Sequence, residues 1–173
     1  MNLPNKLTLL RILMIPLCLI LWALKQPVWS AAVFVLAAVT DFFDGYIARK
    51  QNIVTVFGKF ADPVADKILV LTAMIFLCFD GRLPAWAVSV VAARELMVDG
   101  LRLVAVGKGN VIAAGWAGKI KTNLQYFCVV SAMVLEKDHW LTLVFTVLMS
   151  VLTLYSGAEY FWASRDVFKE SQL

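Results

Sequence analysis

The sequence has few charged residues and few side chains that bind soft metal ions. Only 16% of its 173 residues are Asp, Glu, Lys or Arg, whereas a soluble domain typically has about 25%. It contains one histidine and three cysteines, which stand in separate apolar stretches and form no CxxC pair: Cys18, Cys78 and Cys128. This pattern predicts neither a disulfide framework nor a zinc site.

Hydrophobic residues dominate instead. They make up 61% of the chain, and the mean hydropathy is +0.79. This composition predicts an integral membrane protein, and a span takes about 20 residues. Apolar runs separated by polar turns predict an all-α fold of six transmembrane helices in one membrane-embedded domain, residues 1–173. The predicted spans are Leu7–Leu24, Trp29–Arg49, Pro63–Phe79, Pro84–Val106, Trp116–Leu135 and Trp140–Ala163.

The basic residues are distributed unevenly between the predicted loops. With the N-terminus in the cytosol, the outer loops carry only Lys25, Arg82 and Lys137. The positive-inside rule therefore predicts a multi-pass membrane protein with both termini in the cytosol. The same bias explains the net charge of +4 as a feature of topology, so no nucleic-acid partner is expected.

Four aspartates interrupt the apolar sequence at helical spacing. A carboxylate in hydrocarbon costs about 2.5–3.5 kcal/mol or more, so such groups usually mark a functional site. On helices, Asp41 and Asp44 share one face, as do Asp62 and Asp66. If the second and third spans are antiparallel, all four can converge. The full frame is Asp41-x2-Asp44-Gly45-x2-Ala48-Arg49-x8-Gly58-x3-Asp62-x3-Asp66.

The ligand chemistry of these aspartates favours hard cations. Oxygen-only ligands suit Mg²⁺ or Mn²⁺. Four carboxylates favour two ions, an arrangement suited to displacement at phosphorus. The alternative, exposed acids paired with neighbouring basic residues, does not require the interleaved Gly45, Ala48, Arg49 and Gly58.

The string from Asp41 to Arg49, with Gly58, Asp62 and Asp66, resembles the signature of the CDP-alcohol phosphotransferase family. The resemblance implies a six-helix membrane enzyme, usually a homodimer. Such an enzyme transfers a phosphatidyl or similar group from a CDP-linked donor to an alcohol at the cytosolic side and releases CMP.

The resemblance also implies roles for individual residues. One Mg²⁺ would be held by Asp41, Asp44 and Asp62, and a second by Asp41, Asp62 and Asp66, with Mn²⁺ as an alternative metal. Asp66 is in addition the candidate catalytic base. Thr8 is a candidate nucleotide contact, although helix capping or packing explains it equally well. The implied donor-binding residues are Thr8, Asp44, Gly45, Ala48, Arg49 and Gly58.

Charged residues also lie deep in the fourth apolar run. Glu95, Asp99 and Arg102 share one helical face, with Arg94 at its edge. An acceptor with a phosphomonoester needs cationic donors, which predicts an acceptor-phosphate site. The alternatives are ion pairs within the fourth span and, for the lysines, positive-inside anchoring. Lys119 and Lys121 are two residues apart, so a regular helix would point them to different sides. The candidates are Arg94, Arg102, Lys119 and Lys121.

Residues 2–11 and the charged stretches of the fourth and fifth spans resemble a particular group of bacterial family members. These enzymes of phospholipid biosynthesis transfer the phosphatidyl group of CDP-diacylglycerol to sn-glycerol 3-phosphate. The rivals within the family make phosphatidylinositol phosphate, phosphatidylserine or cardiolipin. A cation-coupled transporter would also carry carboxylates in the membrane, but it would not explain the glycines of the frame.

Several aromatic residues occur near the ends of the predicted spans. Indole and phenol rings favour the membrane interface. The sequence therefore predicts interfacial positions for the segment Tyr160-Phe161-Trp162 and for Trp22, Trp29, Trp86 and Trp140.

Overall fold

The computed structural model describes the backbone of residues 3–51, 56–107 and 116–165, and the side chains of residues 8–40, 64–107 and 116–165. These residues form six α-helices and no strand, which confirms the predicted all-α fold. Whether the chain forms one domain stays a prediction. The helices are α1 (Leu3–Ala23), α2 (Pro27–Gln51), α3 (Val56–Phe79), α4 (Ala85–Gly107), α5 (Trp116–Val134) and α6 (Trp140–Ala163).

The helix boundaries agree with the predicted spans to different degrees. Helix α6 coincides with the sixth span, but α3 begins at Val56, well before the predicted start at Pro63. The prediction followed the apolar run, whereas backbone hydrogen bonding continues through the polar turns that precede it. The early start places Gly58 and Asp62 within the helix.

Among the described residues, one helix is long and apolar enough by length and composition to cross a membrane. It is α6, with 24 residues and a hydropathy of 1.8. Helices α1 and α2 contain shorter apolar stretches, Thr8–Ala23 and Pro27–Thr40. The six membrane spans therefore stay a prediction, although the six helices are present.

The chain divides into two compact units. Unit 1 comprises Met1–Arg82 and Val129–Lys137, and within it α1 packs against α2 and α3. A reciprocal polar contact joins α1 to α2: Ser30 Oγ donates to the carbonyl oxygen of Cys18 at 2.8 Å, and Cys18 Sγ lies 3.3 Å from Ser30 Oγ. Both side chains are buried, so the polar groups satisfy each other inside the apolar unit.

Two helices of unit 1 end in the same hydrogen-bonded turn. After α1, Gln26 N–H donates to Leu21 O and Lys25 adopts φ +59°. After α3, Arg82 N–H donates to Leu77 O and Gly81 adopts φ +68°. Both are Schellman motifs, which place a residue in the left-handed region. Glycine suits the second turn doubly, since an added Cβ would also come within 2.9 Å of Lys137 Nζ.

A polar cluster joins the helix ends of unit 1. Trp22 Nε1 donates to Asp80 Oδ2 at 2.9 Å, and the Arg82 guanidinium carbon lies 5.2 Å from the centre of the Trp22 ring. Arg82 Nη1 also donates to the carbonyl oxygens of Ala132 and Leu135 at 2.9 and 2.7 Å, which caps the end of α5. Trp22 is only 7% exposed. The predicted interfacial position of Trp22 stays a prediction, and its indole N–H has a partner inside the unit.

We expect Arg82→Gln to destabilise the protein by about 1–3 kcal/mol, because the two carbonyl oxygens and the Trp22 ring would lose a charged partner. Unfolding in mixed detergent micelles would measure the change. Arg165→Gln is the matched control, since Arg165 is exposed and its guanidinium lies over the Trp162 ring at 5.5 Å. The control should change stability by less than about 0.5 kcal/mol. Equal effects of the two substitutions would show that the cap does not stabilise the unit.

Unit 2 comprises Leu83–Cys128 and Asp138–Leu173, and within it α4 packs against α6. Helix α6 begins with an N-cap in which His139 Nδ1 accepts a hydrogen bond from Leu141 N–H. Its buried face carries small polar residues whose hydroxyls mostly donate to carbonyl oxygens one turn back. That face consists of Thr142, Thr146, Met149, Ser150, Thr153, Ser156 and Tyr160.

Candidate active site

The four aspartates lie on two helices of unit 1 that contact each other. Asp41 and Asp44 are in α2, and Asp62 and Asp66 are in α3. The helical backbone confirms that the members of each pair share a helical face. Convergence of the four carboxylates stays a prediction, because the side chains of Asp41, Asp44 and Asp62 lie outside the described residues.

Most of the predicted donor pocket also lies outside the described side chains. The side chains of Ala48 and Arg49 and the surroundings of Gly45 and Gly58 also lie outside what the structure describes, although their helices are defined. Among the described side chains, no group of three or more His, Cys, Asp or Glu could hold a metal ion. Asp66 is the one aspartate of the frame whose side chain is described, and it is half-buried.

The N-terminal part of α1 contributes two buried polar side chains to unit 1. Thr8 is 1% exposed and Arg11, one turn later, is fully buried. Both therefore lie on the face of α1 that packs into the unit, where α1 contacts α3, the helix that carries Asp66. This position is compatible with both explanations of Thr8, as a nucleotide contact or as a packing residue.

A second cluster of charged residues lies in unit 2, on the buried face of α4. Arg94 and Glu95 belong to that face, at 8% and 6% exposure. Arg94 Nη1 lies 3.4 Å from Glu95 Oε1. Lys121 of α5, at 2% exposure, forms a close ion pair with the same oxygen. The carboxylate of Glu95 therefore holds two buried cations together.

Tyr160 of α6 connects this group to the second arginine. Its hydroxyl accepts a hydrogen bond from Arg102 Nη2 at 2.5 Å. The centre of its ring lies 5.2 Å from the guanidinium carbon of Arg102 and 5.4 Å from that of Arg94. Two glycines leave room beside Arg94. A Cβ added at Gly157 would lie 3.4 Å from Arg94 Cγ, and a Cβ added at Gly118 would lie 3.7 Å from Arg94 Nη2.

The cluster has hydrogen-bonding capacity left for an anion. Within the described part of the chain, Nε of Arg94 and Nε of Arg102 are buried and have no hydrogen-bond partner. Buried donors are normally paired, so each such atom in a folded protein requires an explanation. The described contacts join Arg94 and Lys121 to the carboxylate of Glu95, and Arg102 to the neutral Tyr160. Buried guanidinium donors without a partner fit a phosphate, which guanidinium groups bind through paired N–H donors.

The structure brings together three of the four predicted acceptor residues. Arg94, Arg102 and Lys121 take part in the contacts of the cluster, whereas Lys119 is exposed. The two lysines therefore point to different sides of a regular α5, as their spacing predicted. The ion pair of Arg94 with Glu95, which was the alternative to an acceptor contact, is also present.

Sequence reasoning missed Tyr160, which was predicted as an interfacial anchor together with Phe161 and Trp162. Tyr160 is only 3% exposed, so that prediction is wrong for this residue, whereas Phe161 and Trp162 are exposed. The sequence did contain a signal. Tyr160 continues the small polar stripe of α6 at the same helical spacing, four residues after Ser156, and neither of its neighbours does.

Comparison with known proteins identifies the family. Residues 1–155 match the family model described as CDP-alcohol phosphatidyltransferase. The chain belongs to the CDP-alcohol phosphatidyltransferase family. The matched residues of this phosphatidyltransferase include the whole aspartate frame and the cations of α4 and α5, whereas Tyr160 lies beyond them.

Curated relatives extend the similarity over nearly the whole phosphatidyltransferase chain. Relatives from Bacillus subtilis, Sodalis glossinidius and Rickettsia typhi are 41%, 35% and 39% identical to it. The alignments cover 98%, 98% and 96% of this chain and 98%, 98% and 99% of the respective relatives. Each of the three is named CDP-diacylglycerol–glycerol-3-phosphate 3-phosphatidyltransferase.

Proposed function

We propose that this protein transfers the phosphatidyl group of CDP-diacylglycerol to sn-glycerol 3-phosphate, giving phosphatidylglycerophosphate and CMP. The names of its full-length relatives support both substrates. The structural observation that carries the proposal is the group of Arg94, Arg102 and Lys121, in which the Nε donors of both arginines are buried and unpaired. An acceptor with a phosphomonoester would supply an anion for these donors, whereas serine would bring a single carboxylate together with an ammonium group that the cations repel.

The aspartate frame is the proposed binding site for two Mg²⁺ ions. Its donors are carboxylate oxygens in two pairs, each on one helical face of α2 or α3, and this chemistry fits a hard divalent cation. Asp41, Asp44, Asp62 and Asp66 would hold the ions. When bound, the ions would neutralise the negative charge of the donor's diphosphate.

The reaction is a direct displacement at phosphorus. The 1-hydroxyl oxygen of glycerol 3-phosphate attacks the phosphorus that carries diacylglycerol, and Asp66 accepts the proton of that hydroxyl. The bond from this phosphorus to the bridging oxygen breaks, and CMP leaves with that oxygen. Thr8, Gly45, Ala48, Arg49 and Gly58 form the proposed donor pocket, in which positioning contributes much of the rate.

The cations of unit 2 hold the acceptor by its phosphate. Arg94 and Arg102 offer paired N–H donors, and Lys121 adds a point charge. Lys119 is exposed and is left out of this site, in agreement with a role at the lipid headgroups.

We further propose a multi-pass protein of the bacterial cytoplasmic membrane, with its active site and both termini in the cytosol. The charge bias of the loops supports this orientation. Large apolar side chains also stand exposed on several helices, as expected for surfaces that contact lipid chains or another subunit. The family resemblance favours a homodimer. Examples of these exposed residues are Leu13, Ile20, Leu96, Leu103, Leu143 and Leu154.

CMP release from CDP-diacylglycerol by the purified protein would test the proposal. We expect sn-glycerol 3-phosphate to stimulate release strongly, and serine, inositol phosphate or phosphatidylglycerol to have little effect. A chelator should abolish release and added Mg²⁺ should restore it, because the aspartate frame needs its cations.

Other results would contradict the proposal in different ways. Stimulation by inositol phosphate or serine, but not by glycerol 3-phosphate, would keep the family and overturn the acceptor. Cation flux into proteoliposomes without CMP formation would favour a transporter. Full activity in excess chelator would overturn the proposed metal site.

A further inference from the structure

Tyr160 contacts both arginines of the cluster in unit 2. Its hydroxyl accepts from Arg102, and its ring lies within 5.4 Å of the guanidinium carbons of both Arg94 and Arg102. Tyr160 is 3% exposed, so these contacts are made away from water. A buried tyrosine hydroxyl needs a partner, and here that partner is a cation.

The chemistry of tyrosine suits a residue that orients cations without neutralising them. A carboxylate in place of Tyr160, in addition to Glu95, would cancel more of the arginines' charge and compete with an incoming anion. A tyrosine is neutral, while its ring face attracts guanidinium groups and its oxygen accepts a hydrogen bond. The Nε atoms of both arginines stay unpaired and buried next to it. Tyr160 thus fixes two guanidinium groups and leaves donors available.

The two arginines are held in different ways. Arg94 has a carboxylate neighbour in Glu95, whereas Arg102 contacts Tyr160 through both the hydroxyl and the ring. Arg102 is also only half-buried. A long side chain that is partly free of packing loses conformational entropy when it binds a ligand, and orienting it beforehand reduces that cost. The contact with Tyr160 should therefore matter most for Arg102.

We propose that Tyr160 is a positioning residue of the acceptor-phosphate site, which orients Arg102 and Arg94 to bind the phosphate of the acceptor. The inference rests on the proposed function, because it takes glycerol 3-phosphate as that acceptor. A positioning role, unlike a packing role, predicts that substitutions of Tyr160 selectively weaken the binding of the acceptor and of competing phosphate.

Kinetics of two substitutions would test the inference. Tyr160→Phe keeps the ring and removes the hydroxyl, so KM for glycerol 3-phosphate should rise about tenfold, as expected for the loss of one hydrogen bond to a charged group. Tyr160→Leu also removes the ring, and the rise should reach about 50-fold or more. KM for CDP-diacylglycerol and kcat should stay within about twofold in Tyr160→Phe.

Three further measurements separate positioning from packing. The inhibition constant of inorganic phosphate, as a competitor of glycerol 3-phosphate, should rise in parallel with KM in both variants. Combining Tyr160→Phe with Arg102→Met should add little to the effect of Arg102→Met alone, because both changes remove the same contact. Tyr155→Phe is the matched control on α6, since Tyr155 is exposed, and it should leave all constants unchanged.

The possible failures can be distinguished. If the wild-type protein uses glycerol 3-phosphate and both Tyr160 variants keep its KM, the inference is overturned and the proposed function stands. A parallel loss of kcat and of affinity for both substrates, with a lower melting temperature, would also overturn the inference in favour of packing. A wild-type protein that releases no CMP with glycerol 3-phosphate would overturn the proposed function, and the inference with it.

Discussion

Replacing Asp66 by asparagine is expected to reduce CMP release by about 10²–10⁴-fold while the protein keeps its fold, because a general base contributes rate accelerations of this size. An amide cannot accept the proton of the attacking hydroxyl. The change conserves shape, and Asp66 lies half-buried within α3, so helix formation should be little affected. Initial rates at saturating concentrations of both substrates would measure the loss.

Asp138→Asn is the matched control for the loss of a carboxylate. Asp138 is exposed in the turn before α6 at φ +62°, a conformation that asparagine also tolerates. The control should retain wild-type turnover and stability. Asp66→Asn with more than half of the wild-type rate would contradict both proposed roles of Asp66.

The two proposed roles of Asp66, catalytic base and metal ligand, predict different responses to Mg²⁺. If the main loss is weaker metal binding, high Mg²⁺ should restore most of the rate of Asp66→Asn. If the main loss is the base, the variant should bind Mg²⁺ and stay slow at saturation. We expect the second result to dominate, because three other carboxylates of the frame remain to bind the ions.

Much of the helical architecture could be predicted from the apolar runs. All six helices were predicted, and the boundaries of α6 coincide with the predicted span because polar turns flank a long apolar run on both sides. The start of α3 was missed because helix Val56–Phe79 includes polar residues that hydropathy assigns to a loop. Hydropathy reports where a helix can contact lipid, whereas hydrogen bonding decides where it begins.

The candidate site could be predicted where spacing determines a shared face, and less well where it depends on packing between helices. The i, i+3 and i, i+4 aspartate pairs follow from helical geometry alone. That Lys121 rather than Lys119 meets Glu95 depends on how α5 is rotated against α4, which the sequence does not specify. Tyr160 was missed for the same reason, since its burial depends on which face of α6 packs against α4.

The contact of Glu95 with two buried cations gives the second large expected effect. We expect Glu95→Gln to destabilise the protein by about 3–5 kcal/mol, the usual cost of removing one partner from a buried ion pair. The amide would leave Lys121 and Arg94, at 2% and 8% exposure, without their shared carboxylate. Unfolding in mixed micelles would measure the loss. Glu136→Gln, at an exposed position after α5, is the control and should have little effect.

A second substitution should reverse most of this loss. In the double variant of Glu95→Gln and Lys121→Met, the ammonium group of Lys121 is absent, and an apolar side chain of similar length takes its place. Removing one charge of a buried ion pair is costly because it leaves the other charge uncompensated, and the second substitution removes that charge. The double variant should therefore be more stable than Glu95→Gln, a non-additivity expected for residues in direct contact. If the stability losses of Glu95→Gln and Lys121→Met simply add in the double variant, the ion pair does not hold this part of unit 2 together.

The same two variants should show different effects on stability and on substrate binding. Glycerol 3-phosphate should raise the melting temperature of Glu95→Gln more than that of the wild type, because its phosphate supplies the counter-charge that the variant lacks. The double variant should regain stability but keep a raised KM for glycerol 3-phosphate, since Lys121 no longer binds the phosphate. A double variant with wild-type KM would remove Lys121 from the acceptor site and leave it a structural role only.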